Sequence, residues 1–330
     1  MDDQHVYIPL RDKILVAIDR ESGLLGWMRD IETTIAPVVA GGMLFVATPT
    51  AMRALDAVTG EDRWETPLAA RVTASMTWDT GWLIAQVEPG EIVAFRGSDG
   101  GIIWRRSLGA SSPHPAVPGG ERALYFSLAD GRVVALSLTD GTPLWEQKLP
   151  GMLSEPAVGK DRVFVGSTDN AFYALNDDSG ALEWKWRGGG DVIGAVVDGD
   201  IVYYASLDNV IKAVNRGNGN QRWKKETGTR PVLPPRTFGG TVVVPGIQPA
   251  MTAFVGKTGE AMGSYVSTAH LIGAPLIDTP VKPFRVSFVS ITREGVVEAL
   301  RATGLTFREA AAVPLPTLPG RQVSRERTPE

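Results

Sequence analysis

An eleven-residue pattern, Ala-x-Asp-x-x-Thr/Ser-Gly-x-x-x-Trp, recurs along this chain at intervals of about forty residues. Residues 54–64 hold the fullest copy, and good or partial copies occupy residues 17–27, 94–104, 135–145, 174–184 and 213–223. Two degenerate copies follow, at residues 253–263 and around Ala299 and Gly304. A fixed period of this length is typical of stacked supersecondary units that bury one continuous core between neighbours. The pattern therefore outweighs the two-domain expectation that 330 residues would otherwise give.

Each repeat predicts four short strands. In the clearest one, the extended or apolar segments are residues 36–39, 43–47, 50–55 and 63–66, separated by Gly, Pro and Asp. Four strands in forty residues are typical of a propeller blade. The near-continuous apolar second strands indicate that both of their faces are covered by neighbouring blades. We predict an all-β fold, an eight-bladed β-propeller of four-stranded antiparallel blades.

The first repeat begins at its second strand, residues 6–8, and lacks a first strand. An unpaired strand edge promotes aggregation, so we expect another segment to complete this blade. The candidate lies after the last repeat, near Ala311 to Leu315. On this interpretation residues 1–315 form the propeller, and residues 316–330, rich in proline and charge, form a disordered tail.

The tryptophan that ends the pattern has a structural interpretation. The Asp and the Thr/Ser-Gly pair are typical of a tight hairpin turn, after which the indole can pack against the next blade. Six of the nine tryptophans in the chain occupy this position. We predict that they hold neighbouring blades together: Trp27, Trp64, Trp104, Trp145, Trp184 and Trp223.

This pattern resembles the tryptophan-docking motif of the quinoprotein, or PQQ-type, β-propellers, over residues 6 to about 310. That family includes dehydrogenases that use pyrroloquinoline quinone (PQQ) with Ca²⁺, and also the BamB type of outer-membrane assembly lipoprotein, which has no cofactor. The chain has no cysteine and no long insertion for a quinone pocket, so its size and compactness resemble the BamB type. The resemblance implies a monomeric, non-enzymatic scaffold in the periplasm that binds protein partners such as the outer-membrane assembly machinery.

A search for chemistry supports the same interpretation. The three histidines, His5, His114 and His270, fall in different repeats, whereas a metal site needs several converging ligands. No nucleophile elbow, phosphate-binding loop or zinc-protease motif is present. We therefore expect no catalytic, cofactor-binding or metal-binding residue.

Two alternatives stay open. A PQQ-binding dehydrogenase or ligand sensor would need basic residues for the quinone carboxylates, and Arg96, Arg132 and Lys212 are basic positions in third strands. An extracytoplasmic domain of a larger receptor or kinase would fit the charged tail and the start within a blade. The chain opens without a signal-sequence pattern, so an extracytoplasmic location rests on the resemblance. The net charge of −4 gives no indication of a nucleic-acid partner, and no run of 18 apolar residues predicts a transmembrane segment.

Acidic residues recur five positions before the Ala of the pattern, in the turn between second and third strands. They are Asp12, Asp130, Asp169, Asp208 and Glu294. These acids are explained either by ordinary turn chemistry or by a negatively charged face for a basic partner or a cation. The connectors between blades share that face, and among them Met152 and Leu153 are either an apolar contact for a partner or part of the core.

Overall fold

A computed structural model describes residues 1–10, 13–33, 35–120, 122–247, 251–265, 276–278, 287–291, 296–303 and 306–314. These residues form strands and turns, and none of them forms a helix that could span a membrane. The chain divides into two compact units, Met1–Ser267 and Thr268–Glu330.

The described residues of the first unit form seven consecutive sheets, the first with three strands and each of the others with four. The first sheet comprises β1 (His5–Leu10), β2 (Ile14–Asp19) and β3 (Leu25–Asp30). The second comprises β4 (Val38–Ala40), β5 (Met43–Ala47), β6 (Ala51–Asp56) and β7 (Asp62–Pro67). The third comprises β8 (Thr77–Asp79), β9 (Trp82–Val87), β10 (Glu91–Arg96) and β11 (Ile102–Ser107).

The fourth sheet comprises β12 (Val117–Gly119), β13 (Ala123–Ser127), β14 (Arg132–Ser137) and β15 (Pro143–Lys148). The fifth comprises β16 (Ala157–Val158), β17 (Arg162–Gly166), β18 (Ala171–Asn176) and β19 (Leu182–Arg187). The sixth comprises β20 (Val192–Asp198), β21 (Ile201–Ser206), β22 (Val210–Asn215) and β23 (Gln221–Glu226). The seventh comprises β24 (Arg236–Phe238), β25 (Thr241–Pro245), β26 (Met251–Val255) and β27 (Ala261–Tyr265).

Each sheet is an antiparallel meander, because strands that follow one another in the chain are also hydrogen-bonded neighbours. The repeated pattern is the hairpin between the last two strands. In the second sheet Ala54 pairs with Trp64, and the register then shifts by a β-bulge between Ala54 and Leu55. The same bulge follows the alanine of the pattern in each of the seven sheets. The fixed spacing from Ala to Trp is thus the length of one bulged hairpin.

The core lies between successive sheets of this unit. One buried cluster joins the first and second sheets through residues such as Leu15 and Leu44, and five more clusters join each following pair up to the sixth and seventh. The second strands are buried on both faces, as in Leu44, Phe45 and Val46, which have no exposed surface. This arrangement explains why the sequence shows continuous apolar runs instead of alternation.

The second unit contains one described sheet, with β28 (Leu276–Asp278), β29 (Ser287–Ile291), β30 (Val296–Thr303) and β31 (Thr306–Pro314) in that order. The segment predicted to complete the first sheet is used here instead. Ala311 pairs with Ala299 as β31 forms the fourth strand of this sheet, because the last repeat has a long hairpin that sequence reasoning ended too early. Leu315 and the predicted tail, residues 316–330, lie outside the described residues, so the division into propeller and tail stays a prediction.

Candidate functional site

The tryptophan of each of the first six sheets packs against the glycine of the next copy of the pattern. A β-carbon on Gly60 would lie 2.7 Å from Cδ2 of Trp27. Gly100, Gly141, Gly180, Gly219 and Gly259 stand in the same relation to the tryptophans of the sheets before them, at 2.5–2.9 Å. All six glycines also have φ between 68° and 73°, where a β-carbon is strained. The glycine therefore serves the turn and the docked indole together.

The indole N–H makes a hydrogen bond across the same boundary. Nε1 of Trp27 donates to the carbonyl of Ala57 at 3.0 Å, and Nε1 of Trp64 donates to that of Gly97 at 2.8 Å. Trp104, Trp145 and Trp223 donate to the equivalent carbonyls of Leu138, Asp177 and Gly256. The acceptor residue also donates its own N–H to a turn of its own sheet, as Ala57 does to Gly42. It is therefore fixed from both sides.

A second donor reinforces most of these boundaries. The side chain two residues after the tryptophan donates to the carbonyl of the docked glycine, as Thr66 does to Gly100 at 2.8 Å and Arg106 to Gly141 at 2.8 Å. Arg29 and Trp186 donate in the same way to Gly60 and Gly219. Sequence reasoning missed this contact, although a donor recurs at that position of the pattern.

The boundary between the fifth and sixth sheets departs from this scheme. Trp184 packs against Gly219, but its Nε1 is buried with no hydrogen-bond partner among the described residues. Trp186 still makes the second bond, to Gly219, that recurs at other boundaries. The ring of Trp184 therefore occupies the predicted docking position, but its N–H does not make the hydrogen bond that the other five tryptophans make.

The connectors and the turns between second and third strands share one side of the first unit, which we call the loop face. The N–H of Leu149, on a connector, donates to the carbonyl of Gly131 in a turn, and the N–H of Thr168, in the next turn, donates to the carbonyl of Met152. In the same way the N–H of Gly188 donates to the carbonyl of Asn170, and the N–H of Leu207 donates to the carbonyl of Asp191. Successive turns and connectors thus form a continuous hydrogen-bonded rim.

The structure places three of the five predicted acids on the loop face. Asp130, Asp169 and Asp208 occupy the equivalent turns of the fourth, fifth and sixth sheets, and the first and last of them are exposed. Asp12 and Glu294 lie outside the described residues. The predicted negatively charged face therefore has three described members, on consecutive sheets.

Each of these acids also has local turn contacts. Asp130 accepts a hydrogen bond from Nε of Arg132 at 2.7 Å; burial raises its pKa, but this bond and the positive charge outweigh that and hold the pKa below its usual value. Asp169 accepts from the Tyr173 hydroxyl at 2.5 Å, and burial together with this bond raises the pKa of Tyr173 to about 12. Asp208 accepts from the hydroxyl of Ser206. Turn chemistry is therefore present, and it leaves the exposed carboxylates of Asp130 and Asp208 available to solvent.

Met152 and Leu153 separate in the structure. The side chain of Met152 is 68% exposed, whereas that of Leu153 is 5% exposed and packs in the core cluster between the fourth and fifth sheets. Of the two interpretations left open for Leu153, its burial supports a place in the core and not a contact with a partner. Met152 lies on the connector between the turn of Asp130 and the turn of Asp169, so an exposed apolar residue lies between two turns that each hold an acid.

The loop face has a second apolar site that the sequence did not reveal. Ile247 is 65% exposed and Val232 is 44% exposed, and their segments are joined by hydrogen bonds from Val232 to Pro245 and from Ile247 to Arg230. Apolar residues in a turn carry no periodic signal that separates exposed from buried positions, so sequence alone could not distinguish these from core residues.

The residues that an enzymatic alternative would use have separate environments. Arg96 pairs with Asp99 at 2.8 Å, and Arg132 pairs with Asp130 and Glu146. Nζ of Lys212 lies over the rings of Trp186 and Tyr204. The three belong to the third, fourth and sixth sheets, and the structure does not bring them into one pocket.

Of the two described histidines, His5 lies in the first sheet and His114 lies on the connector between the third and fourth sheets. His5 is a buried residue of β1, and Nε2 of His114 lies 3.0 Å from the carbonyl oxygen of Leu153, which ties the connector at Met152 to the preceding sheet. His270 lies outside the described residues. Within the part of the chain that the structure describes, no three His, Asp or Glu residues are grouped to hold a metal ion.

Comparison with known proteins identifies the architecture. A protein-family model described as "Outer membrane protein assembly factor BamB" matches residues 1–128 and 129–305. The crystal structure of BamB from Moraxella catarrhalis aligns with a TM-score of 0.69 and 18% identity, covering 94% of this chain and 91% of that chain. The crystal structure of the computationally designed Ika8 protein aligns with a TM-score of 0.77 and 14% identity, covering 91% of this chain and 93% of that one. No curated protein matches the chain. At these identities the two structures show a shared fold, the β-propeller with antiparallel four-stranded blades.

Proposed function

The chain belongs to the family described as outer membrane protein assembly factor BamB, and from this premise we propose that it is a non-enzymatic, protein-binding scaffold. Its role is to assist the assembly of outer-membrane β-barrel proteins. It acts as a monomer in the periplasm, without a cofactor, and presents the loop face to a polypeptide partner.

The exposed side chain of Met152 is the observation that best supports this proposal. An exposed methionine is a flexible, polarizable contact that adapts to different partner surfaces. Here the side chain stands on a connector that is hydrogen-bonded to the turns on both sides, so the backbone beneath it is held in place. Rigid scaffolds with functional loops commonly bind in this way. The turns that hold Asp130 and Asp169 flank this connector, so the proposed partner has an apolar residue next to a basic one.

Site-specific photo-crosslinking in the native host tests the proposal. A photoreactive amino acid replaces Met152, and the same residue replaces Val58 as a matched control, since Val58 is 59% exposed but lies in the turn between β6 and β7. We expect Met152 to crosslink to a component of the barrel-assembly machinery and Val58 not to do so. Equal crosslinking at both positions, or none at Met152, contradicts the proposal.

A second measurement separates the scaffold from a quinone enzyme of the same superfamily. PQQ and Ca²⁺ are added to the purified protein, and the melting temperature and tryptophan fluorescence are followed. A ligand that binds only the native state raises its stability in a saturable way. We expect no shift, whereas a saturable increase in the melting temperature would favour the PQQ-dependent alternative.

A further inference from the structure

Four positions at the boundary between the first and second sheets form a balanced ionic network. Nη2 of Arg29 lies 2.7 Å from Asp62. Arg53 also pairs with Asp62, and its Nε lies 3.3 Å from Glu65, the residue directly opposite on β7. Two cations thus meet two carboxylates across one boundary.

The equivalent positions between the fifth and sixth sheets have no carboxylate. Counting from the tryptophan and the alanine of the pattern, Arg29 and Arg53 correspond to Trp186 and Lys212. In the same way Asp62 and Glu65 correspond to Gln221 and Lys224. Lys212 and Lys224 are direct cross-strand partners, where the second sheet has Arg53 opposite Glu65. Like charges directly opposite each other in a sheet are destabilising, and neither of the two strands places a carboxylate opposite Lys212 or Lys224.

Lys212 is held in an aromatic environment. It is 8% exposed, and its Nζ lies 5.2 Å from the ring centre of Trp186 and 5.6 Å from that of Tyr204. The hydroxyl of Tyr204 is buried with no hydrogen-bond partner among the described residues. Burial, and then the charge of Lys224, lower the pKa of Lys212, while Asp208 acts in the opposite direction. Aromatic faces offset only part of the cost of burying an ammonium group.

The neighbouring cations of the two outer strands face other boundaries. Lys185 lies opposite Tyr173, which packs between the fourth and fifth sheets, and Lys225 lies opposite Ile211, which packs between the sixth and seventh sheets. Among the described residues no ion pair is formed by the exposed cations of β19 and β23, which are Lys185, Arg187, Arg222, Lys224 and Lys225. Glu183 is already paired with Arg162. Glu226 lies two residues after Lys224 on the same strand and forms no ion pair among the described residues. Lys224 is therefore the exposed cation that lies directly opposite Lys212 on the same side of the sixth sheet.

We propose that the outer edge of the boundary between the fifth and sixth sheets is a docking site for an acidic segment of a partner polypeptide. A carboxylate of that segment takes the place that Glu65 occupies in the second sheet. Lys224 contacts it, Lys212 behind it adds positive potential, and Trp186 forms the apolar wall. Two positive charges beside an apolar wall suit a carboxylate carried on an alkyl side chain better than a small inorganic anion. The inference rests on the proposed function in taking the occupant to be a polypeptide.

Fluorescence anisotropy with a labelled polyglutamate peptide tests this site on the purified full chain. We expect saturable binding that weakens as salt increases. Lys224→Glu should weaken it by roughly tenfold or more, the loss expected for one charge-assisted contact, whereas Lys224→Arg should retain it. Lys160→Glu is the matched control, since Lys160 is also exposed and the net charge changes equally; it should bind as the unaltered protein does.

Folding of the variant is checked separately. Lys224→Glu places a carboxylate opposite Lys212, as Glu65 stands opposite Arg53, so its melting temperature should equal or exceed that of the unaltered protein. Equal loss of peptide binding in Lys160→Glu and Lys224→Glu would overturn the proposal. So would binding of phosphatidylglycerol vesicles or inorganic phosphate that depends on Lys224 when the peptide does not bind. Because this site and Met152 belong to different boundaries between sheets, failure here leaves the crosslinking result at Met152 standing, and the reverse also holds.

Discussion

The indole of Trp27 fills the space in front of the α-carbon of Gly60, so that a β-carbon there would lie 2.7 Å from Cδ2 of the ring. The two residues belong to different sheets and to successive copies of the pattern. Turn geometry alone accounts for a glycine at this position, but the close ring contact adds a second, independent reason. Both reasons apply at every described boundary of the first unit.

Gly60→Ala should be strongly destabilising, because it combines a strained φ of +73° with a clash against Trp27. Gly42→Ala isolates the first effect, since Gly42 has φ of +76° and open space around its α-carbon. The backbone strain costs about 1–2 kcal/mol, and overpacking adds about 1–3 kcal/mol. Denaturant unfolding of both variants gives the difference. Equal losses of stability would show that the indole moves aside without cost.

Trp223→Phe and Trp184→Phe should differ in their effect. Nε1 of Trp223 donates to Gly256 at 2.8 Å, whereas that of Trp184 is buried without a partner among the described residues. Removing the indole N–H of Trp223 loses a hydrogen bond, whereas removing that of Trp184 removes a buried donor without a partner. We expect Trp223→Phe to cost about 1–2 kcal/mol more in free energy of unfolding. A larger loss for Trp184→Phe in the same denaturation experiment would contradict this assignment.

Because Asp56 forms an ion pair, part of the free energy of unfolding should depend on pH in the acidic range. Arg63 donates to its carboxylate, and this bond together with two backbone N–H groups lowers the pKa of Asp56 to about 2. A group with a lowered folded-state pKa stabilises the protein above its unfolded pKa, and this contribution is lost as the pH falls from about 4 to about 2.

Asp56→Asn is the matched comparison for this effect, since Asn176 and Asn215 occupy the same position in other sheets. We expect the unaltered protein to melt at the higher temperature near neutral pH and the difference to shrink in acid. Melting curves across this range check it. A difference that stays constant would show that Arg63 contributes nothing through charge.

Leu153→Ala and Met152→Ala should have opposite outcomes although the residues are adjacent. Leu153 is 5% exposed within the core, so truncation should cost about 2–5 kcal/mol. Met152 is 68% exposed, and its loss should change the free energy of unfolding by about 0.5 kcal/mol or less while weakening partner crosslinking nearby. Denaturant unfolding measures both. A strongly destabilised Met152→Ala would show that Met152 belongs to the core, and the proposed function would lose its main supporting observation.

The repeat predicted most of the fold. Its period and its apolar runs led to antiparallel four-stranded sheets and a β-propeller, which the structure and the structural comparisons confirm. The contact of the tryptophan with a neighbouring sheet was also predicted. Its partner was not, because the glycine was already explained by the turn. The segment at Ala311 was assigned to the first sheet, since the sequence does not show how far the long last hairpin continues.

Less of the candidate site could be predicted. The sequence predicted that turns and connectors share one face. It did not show how deeply each connector residue is buried, so Met152 and Leu153 could not be distinguished. The opposition of Lys212 and Lys224 depends on the strand register after a bulge. Once the register is known, the difference from Arg53 and Glu65 follows directly from the printed residues.

The residue that accepts each indole is held by its own sheet on one side and by the preceding sheet on the other, as Ala57 is by Gly42 and Trp27. Each such contact spans one boundary and no more. No single contact of this kind therefore determines the total number of sheets. If evolution duplicated or deleted a whole repeat, the remaining neighbours could still make the same contact, so chains of this kind can change their number of repeats.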